Sequence, residues 1–415
     1  MGNPESITII GGGVIGLACA HYLLDEGCRV TIIEKDVVGA GASHGNCGLL
    51  YYSDVLPLCS PGAVSKEIFR TLCGTSPLYI KPEPDLNRLY WLARFAGNCR
   101  YTHMRQAAAD KLPILQYSAQ LFESLWTTPD IQCDFEKKGI LYVFKDHKNF
   151  RKFGDLSDYL EQFDLAWKPM TASQTKTFEP SLADDIAGAW YSRVDHHLRP
   201  DLLMRSWRNH LVKKGLNIIE SCSVQDFIME KTHLRGLRTS SGTLTDDAFV
   251  LATGAWSSPL AQKLNLNLPV QPGKGYSITM SRPDNCPALP CLLYEKNMVV
   301  TPWNSGYRLG GTMEFSGFGT ELNTQRLNKL TDGAAAYMKT PLGETIEEEW
   351  ASLRPMTWDD MPVIDRAPGY DNLVVASGHG MLGLTLATGT GKIVSDLLLN
   401  KETLIPVHPF RMDRF

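Results

Sequence analysis

The sequence predicts an α/β protein in which two domains are interleaved along the chain. Its length of 415 residues suits about two or three structural units. A strand, helix and strand open the chain at residues 7–33, and a strand, glycine turn and helix close it at residues 373–400. Strand-like runs dominate residues 270–349, which indicates a second, sheet-rich α+β domain.

The first predicted strand runs directly into a glycine-rich turn. Residues 7–10 are mostly apolar and β-branched, and the segment GGGVIG follows at residues 11–16. In such a turn Gly11 bends the chain, Gly13 lets the backbone approach a pyrophosphate, and Gly16 lets the helix pack close to the strand. The amides at the start of the helix then face the anion.

An acidic residue stands at the end of the second predicted strand. Glu34 lies 23 residues after Gly11, where its carboxylate can accept hydrogen bonds from both ribose hydroxyls of an adenosine. A 2′-phosphate would be repelled there. Because strand, turn, helix and acid are in register, the sequence predicts a Rossmann-like (GxGxxG) domain that binds a dinucleotide.

A second glycine motif, GHGMLG, occupies residues 378–383 between a predicted strand and a predicted helix. A second nucleotide such as NADPH is disfavoured, because no further strand with a terminal acid follows. We expect instead that the amino end of the last helix points its positive dipole at the same cofactor. A flavin suits this position because its reduced form carries negative charge. With one nucleotide fold, the expected reductant is the substrate itself.

Composition argues against several other classes of protein. The net charge of −4 gives no general reason to bind nucleic acid, and no apolar run reaches the ~18 residues of a transmembrane helix. The 10 cysteines and 10 histidines show no metal-ligand spacing, so no metal site is predicted.

The start of the sequence lacks the pattern of a secretion signal, which predicts a cytoplasmic location. The alternative is a peripheral contact with the inner membrane through residues 63–90, where Lys66, Arg70 and Lys81 accompany apolar residues. An amphipathic helix packed inward is the favoured interpretation of that segment.

Several segments are distinctive when they are taken together. They are GGGVIG at 11–16, SHGNCGLL at 43–50, residues 76–99, VQPGKGYSIT at 270–279, RLGGTMEFSGFGTEL at 308–322, SLRPMTWDDMPV at 352–363 and SGHGMLGLT at 377–385. Nearly the whole chain thereby resembles the FAD-dependent D-amino-acid oxidase superfamily, and most closely its bacterial D-amino acid dehydrogenase small-subunit branch.

The resemblance implies an FAD whose isoalloxazine lies between an FAD-binding domain and a substrate domain. The FAD-binding domain is expected to comprise residues 1–56, 196–260 and 350–415. The substrate domain is expected to comprise residues 57–195 and 261–349.

The resemblance also assigns two sets of residues. The substrate-binding set is Tyr52, Tyr276 and Arg354, with Arg354 gripping a carboxylate. The cofactor-binding set is Gly11, Gly13, Val14, Ile15, Gly16, Glu34, Lys35, Ser43, His44, Asn46, Gly48, Leu49, Val224, Thr253, Gly254, Trp256, Gly378, His379, Gly380, Met381 and Leu382.

FAD is expected to be held without a covalent bond. In relatives that link the flavin to a histidine, that histidine precedes the equivalent glycine by three positions, whereas His44 precedes Gly48 by four. Ser352 also stands where other relatives carry a linking cysteine.

The activity that the resemblance implies is oxidation of D-amino acids, or of cyclic D-imino acids such as D-proline and D-hydroxyproline. Hydride transfer from Cα to flavin N5 would give the imino acid and then the 2-oxo acid. Positioning is the main task of the protein in such a reaction, so no catalytic residue beyond the flavin is predicted. A quinone, a carrier protein and O2 are all open as electron acceptors.

Several alternatives stay open from the sequence. A glycine or sarcosine-type amine oxidase is the nearest competing function, and a non-catalytic FAD-bound subunit of a larger complex is the competitor from another class. Arg354 has a structural alternative, a salt bridge to Asp359, Asp360 or Asp365. Strand alternation would also let only one of Tyr51 and Tyr52 face the pocket.

Overall fold

A six-stranded sheet organises the nucleotide-binding half of the chain in this computed structural model, which describes residues 3–64 and 78–415. In spatial order its strands are β19 (Val363–Arg366), β20 (Leu373–Ser377), β13 (Ala248–Leu251), β1 (Ser6–Ile10), β2 (Arg29–Ile33) and β9 (Asn217–Ile219). Neighbours are parallel except β19 and β20. The central strands β1 and β13 are largely apolar and buried, as expected for parallel strands covered on both faces.

Two helices of this half pack closely against each other. α1 (Val14–Asp25) and α9 (Gly383–Leu398) meet where a Cβ on Gly391 would lie 2.5 Å from the backbone of Ala18. On another side of α9 lies α3 (Tyr101–Trp126), joined by a 3.2 Å hydrogen bond from the Gly389 amide to Ser118 Oγ. α3 belongs to the predicted substrate segment 57–195, yet it packs on the nucleotide-binding half.

A nine-stranded sheet organises the other half. In spatial order its main path is β18 (Ile346–Met356), β14 (Gln271–Met280), β17 (Gly306–Phe315), β16 (Met298–Trp303), β15 (Cys291–Leu293), β5 (Ile140–Phe144), β7 (Gly188–Ser192) and β6 (Lys168–Thr171). β4 (Leu78–Ile80) pairs with β17. Helix α8 (Thr324–Tyr337) covers one face of this sheet.

The predicted domain boundary between residues 349 and 350 falls inside strand β18. Arg354 therefore lies on the large sheet, paired with Gly273 of β14, rather than in the nucleotide-binding half. The acidic run at residues 347–349 hides the start of this strand from pattern-based prediction, because glutamate is depleted in strands.

The remaining elements connect the two halves or cover them. The strands are β3 (Leu49–Leu50), which pairs with β8 (His196–His197), and the meander β10 (Val224–Glu230), β11 (His233–Thr239) and β12 (Gly242–Leu244). The helices are α2 (Leu86–Asn98), α4 (His147–Glu161), α5 (Ala172–Phe178), α6 (Pro200–Lys213) and α7 (Ser257–Lys263). Asp146 caps α4 by accepting hydrogen bonds from the amides of Lys148 and Asn149.

We expected residues 63–90 to form an amphipathic helix packed inward. Helix α2, which begins within this segment at Leu86, does not pack wholly inward. It buries Trp91 but turns Leu86, Leu89 and Tyr90 outward, with Leu86 81% exposed. Lys66 and Arg70, on which part of that interpretation depended, lie outside the described residues. Within residues 3–64 and 78–415, no helix is long and apolar enough to cross a membrane.

The contact between α1 and α9 leads to a stability prediction. We expect Gly391→Val to lower Tm, because a side chain there collides with the backbone of Ala18 and close-packed interiors relax only partly. The matched control is Gly97→Ala in helix α2, since nothing lies within 4 Å of its missing Cβ and alanine is the better helix former. Thermal unfolding of both variants checks this, and an unchanged Tm for Gly391→Val would contradict the packing described.

Candidate active site

A cavity of about 1820 Å³ lies between the two halves of the chain. One end is walled by the glycine turn and Glu34, and the other by residues of the nine-stranded sheet, including Gly310, Thr312 and Arg354. Single small-molecule sites usually have volumes of roughly 300–1,000 Å³. The cavity therefore has room for a dinucleotide and a second, smaller ligand.

The glycine turn follows β1 and begins the nucleotide end of the cavity. Gly11 has φ +107°, and a Cβ there would lie 2.5 Å from the carbonyl oxygen of Ala252. Gly13 and Val14 line the cavity, and the Val14 amide donates to Ser43 Oγ at 2.9 Å. The turn thus keeps its backbone open to a ligand, which fits a pyrophosphate.

Glu34 is held at the cavity wall by the backbone. Its carboxylate accepts hydrogen bonds from the Gly12 amide at 2.7 Å and the Asp36 amide at 3.0 Å. Beside it, Lys35 Nζ lies 4.3 Å from the centre of the Trp256 ring. Since Glu34 faces the cavity with a fixed carboxylate, the site fits an adenosine with free ribose hydroxyls.

Most residues of the predicted cofactor set line this cavity. They are Gly11, Gly13, Val14, Ile15, Glu34, Lys35, Ser43, Asn46, Leu49, Val224, Thr253, Gly254, Trp256, His379, Gly380 and Met381.

The other five predicted residues are not part of the wall. The His44 side chain instead forms a 2.9 Å contact with Glu348 on β18. A Cβ on Gly16 or Gly48 would collide with a backbone carbonyl, and a Cβ on Gly378 would lie 2.6 Å from the Thr357 side chain. These glycines permit close packing behind the wall. Leu382, the fifth, is buried in the core.

A buried arginine holds the loop that follows the glycine turn, and sequence reasoning missed it. Arg308 of β17 is 1% exposed, and its Nη1 donates to the carbonyls of His44 at 3.0 Å and Asn46 at 2.7 Å. Asp201 lies 3.5 Å from its Nη2. The sequence signal that could have identified Arg308 was an arginine within a predicted strand, because a charge that is buried in a sheet needs partners.

The motif before α9 brings a neutral histidine to the cavity. His379 Nε2 lies 3.0 Å from Thr390 Oγ1, and burial lowers the pKa of His379 to about 3. The ring is therefore uncharged at neutral pH. Gly380 and Met381 line the cavity just before α9 begins at Gly383, so the positive end of this helix faces the ligand.

Arg354 projects from β18 onto the cavity without an acidic partner among the described residues. Its Nη1 donates to the carbonyl of Thr312 at 3.2 Å, and Gly275 leaves the space that the guanidinium fills. Burial lowers the pKa of Arg354, and the nearby Cys47 thiol opposes that effect only partly. A buried, unpaired cation is unfavourable, so this position calls for an anionic ligand.

The salt bridges that the sequence left open for Arg354 are absent, because all three acids bind elsewhere. Asp359 pairs with Arg414 at 2.7 Å, and Asp360 pairs with Lys111 at 2.9 Å. Asp365 accepts a hydrogen bond from the Met412 amide at 2.9 Å.

Thr312 is a second site residue that the sequence did not reveal. It lies in a β-bulge, where β17 and β14 shift register between Lys274 and Tyr276, and its φ is +62°. A β-branched residue rarely adopts this conformation. The bulge directs the Thr312 carbonyl to Arg354, and the buried Thr312 hydroxyl has no hydrogen-bond partner among residues 3–64 and 78–415. Strain of this kind is typical of ligand sites.

Neither predicted substrate tyrosine lines the cavity. Tyr276 lies on the opposite face of the large sheet, where its hydroxyl donates to Glu314 at 3.1 Å. Tyr52 is buried against His196, with ring centroids 5.5 Å apart. Tyr51 lines the cavity instead. Of the two neighbouring tyrosines, the one at the cavity wall is therefore Tyr51 rather than the predicted Tyr52, and neither lies in a strand.

Comparison with known proteins identifies the family. Residues 6–397 match the family described as "DAO: FAD dependent oxidoreductase". The chain belongs to this family. It is therefore an FAD-dependent oxidoreductase with the mixed α/β fold of that family, as the sequence predicted.

Similar members of the DAO family include proteins named D-amino acid dehydrogenase. The protein of that name from Bradyrhizobium diazoefficiens is 29% identical over 99% of this chain and 98% of its own length. The Neisseria gonorrhoeae protein is 27% identical over 99% of both chains.

Solved structures show the same fold. Glycine oxidase from Geobacillus kaustophilus matches 100% of both chains with a TM-score of 0.80 and 22% identity. L-proline dehydrogenase from P. horikoshii matches 100% of this chain and 98% of its own, with a TM-score of 0.76 and 17% identity.

The geometry at Glu34 leads to a prediction on FAD retention. We expect Glu34→Ala to weaken FAD binding about tenfold or more, because a charge-assisted hydrogen bond contributes roughly 1.5–3 kcal/mol. Fluorescence titration of apoprotein with FAD gives the Kd. Glu26→Ala is the matched control, since Glu26 lies just past the other end of α1 and pairs with Lys401. Equal Kd values for both variants would remove Glu34 from the cofactor site.

Proposed function

We propose that this protein oxidises D-amino acids, or cyclic D-imino acids such as D-proline, to imino acids that hydrolyse to 2-oxo acids. The observation that carries the proposal is the Arg354 guanidinium, which faces the cavity, partly buried and without an acidic partner in the described chain. A substrate carboxylate supplies the missing charge. The near full-length similarity to proteins named D-amino acid dehydrogenase supports the same class of substrate.

The cofactor half of the cavity fits FAD held without a covalent link. Glu34 would bind the adenosine ribose, and the glycine turn with Val14 the pyrophosphate. The amino end of α9, with Gly380 and Met381, would face the electron-rich edge of the ring. When bound, FAD supplies the acceptor for the hydride that leaves the substrate Cα.

The protein positions the substrate mainly through Arg354. The Thr312 carbonyl fixes one side of the guanidinium, which leaves Nε and Nη2 free to donate to a carboxylate in a fixed plane. Two parallel hydrogen bonds orient the Cα as well as bind it, and orientation is a major part of the rate enhancement in such reactions. The unpaired Thr312 hydroxyl adds a further polar contact at the same end.

The proposal assigns no general acid or base to the chain. His379 is held neutral by burial and hydrogen-bonded to Thr390. The Cys47 thiol also lines the cavity, and burial raises its pKa despite Arg354 and Arg308 nearby. Loss of a proton from the substrate amine to solvent is sufficient.

The competing functions are less well supported. The likeness to glycine oxidase is at 22% identity and concerns the fold. A non-catalytic FAD-bound subunit would have no use for an unpaired guanidinium at the cavity wall.

Replacement of Arg354 tests the proposal. We expect Arg354→Leu to retain FAD while the apparent KM for a D-amino acid rises about tenfold or more, because one charge-assisted contact contributes roughly 1.5–3 kcal/mol. The matched control is Arg238→Leu, at an exposed position on β11. Steady-state kinetics and the flavin absorbance of both variants provide the measurement. An unchanged KM for Arg354→Leu would place the carboxylate elsewhere.

Anaerobic mixing separates the candidate functions directly. The holoenzyme is mixed with D- and L-amino acids, glycine, sarcosine and hydroxyproline isomers while flavin absorbance is followed. The proposal requires bleaching by D-enantiomers or cyclic D-imino acids. Bleaching by glycine and sarcosine alone would favour the amine oxidase, and no bleaching by any compound would favour the non-catalytic subunit.

A further inference from the structure

The cavity continues past the Arg354 region into a chamber with aromatic walls. We call it the distal chamber and define it by Tyr51, Asp54, Tyr142, Phe153, Trp167 and Tyr294. The ring centroids of Phe153 and Trp167 lie 4.7 Å apart, and those of Tyr142 and Trp167 lie 4.9 Å apart. The walls are therefore a continuous group of rings rather than scattered side chains.

The distal chamber adjoins the carboxylate site through the loop after Asn46. Cys47 Sγ lies against Gly310 of β17, 2.4 Å from where a Cβ there would be, and Gly310 is two residues before Thr312, whose carbonyl accepts from Arg354. Both Cys47 and Tyr51 line the cavity. A ligand whose carboxylate binds Arg354 can thus extend past Cys47 and Tyr51 into the chamber.

Asp54 is the acidic group of the distal chamber, and its carboxyl has no hydrogen bond or ion pair within the described ranges. Lys152, beside Phe153 on α4, also lines the cavity, but it is exposed. Lys111 is the nearby cation, but it is 1% exposed and bonded to Asp360 at 2.9 Å. Burial raises the pKa of Asp54 to about 7, and the neighbouring Asp360 and Asp195 add to this effect. A cationic ligand would lower the energy of the ionised carboxyl.

The other polar groups around Asp54 are acceptors or are already satisfied. Asp195 accepts from the Ser53 amide at 2.9 Å and the Ser53 hydroxyl at 2.6 Å. The Tyr51 hydroxyl is buried beside Tyr142. Aromatic faces attract cations, and hydroxyl oxygens can accept from an ammonium or guanidinium.

We infer that the distal chamber binds the substrate side chain, that Asp54 pairs with a positive charge on it, and that the preferred substrates are basic D-amino acids. This inference rests on the proposed function. The positive group concerned is not the substrate α-ammonium, because that group is held next to the carboxylate at Arg354. Asp54 belongs instead to the turn after Tyr51, where its amide donates to the Tyr51 carbonyl at 3.4 Å and both residues line the distal chamber.

Pairs of substrates that differ in charge test the inference. D-Arginine is compared with D-citrulline, its neutral near-isostere, and D-lysine with D-norleucine. We expect the holoenzyme to have a kcat/KM at least about tenfold higher for the charged member, as one charge-assisted contact would give. Asp54→Asn should reduce this ratio to about twofold or less while the flavin absorbance stays that of the folded holoenzyme.

Asp158→Asn is the matched control. Asp158 is exposed on α4, the helix that also carries Phe153, and it does not line the cavity. Its charged-to-neutral ratio should equal that of the unmodified enzyme. A ratio near one in the unmodified enzyme, or an unchanged ratio in Asp54→Asn, would overturn the inference.

The pH dependence of the same ratio gives a second readout. Because the pKa of Asp54 is raised to about 7, the carboxyl is largely protonated well below that pH and ionised above it. The preference for D-arginine over D-citrulline should therefore grow as pH rises from about 6 to 8. Lys111, Asp360 and Asp195 surround Asp54, and the Asp54→Asn variant isolates its contribution by losing this pH dependence.

Failure of this inference differs from failure of the proposed function. If D-alanine, D-methionine and D-arginine reduce the flavin with similar kcat/KM, the enzyme is a D-amino acid oxidoreductase without a cationic side-chain site. If no D-amino or D-imino acid reduces it, the proposed function itself is wrong.

Discussion

The structure of the site depends on a partly buried guanidinium that has no counter-ion in the described chain. The turn after Arg354 contains acids, yet Asp359 binds Arg414 and Asp360 binds Lys111. Removing an ion from water is expensive unless a partner lies close. Keeping these acids away from Arg354 therefore leaves a position whose most favourable occupant is a carboxylate from outside. The strained bulge at Thr312 adds to this by presenting a carbonyl to one side of the guanidinium.

The two arginines near the cavity, Arg308 and Arg354, differ in their hydrogen-bond and ion-pair partners. Arg308 is surrounded by the His44 and Asn46 carbonyls and by Asp201, so its donors are used in holding a loop in place. Arg354 is only partly buried and, among the described residues, makes one hydrogen bond, to the Thr312 carbonyl. Residue type alone would not distinguish the two. The difference lies in long-range contacts between β17, β18 and the loop after the glycine turn. These contacts occupy the donors of Arg308 and leave Arg354 facing the cavity.

The features that could be predicted from the sequence are those that depend on contacts between residues close together along the chain. The βαβ opening with Gly11 and Glu34 depends on contacts within about thirty residues, and the family was confirmed along with its fold. The sequence pattern could not reveal how far β18 extends past the acidic run at residues 347–349, so Arg354 was expected in the FAD-binding domain, whereas it lies on a strand of the large sheet. The position of Tyr52 and Tyr276 away from the cavity wall has a related reason. One residue of register decides which face of a sheet or loop a side chain takes, and pairing across the sheet sets the register.

Three ionisable groups at the cavity wall differ from the buried ion pairs of the protein. Lys111 with Asp360, and Arg308 with Asp201, are ion pairs within the protein. Glu34, Arg354 and Asp54 are partly buried, form no ion pair in the parts of the chain described, and each lines the cavity. Because a charge that is removed from water without a partner is unfavourable, groups of this kind at a cavity wall are candidates for ligand contacts. In the proposed arrangement Glu34 binds ribose hydroxyls, Arg354 a carboxylate and Asp54 a cation, so each group of the bound molecules meets a wall group of matching chemistry.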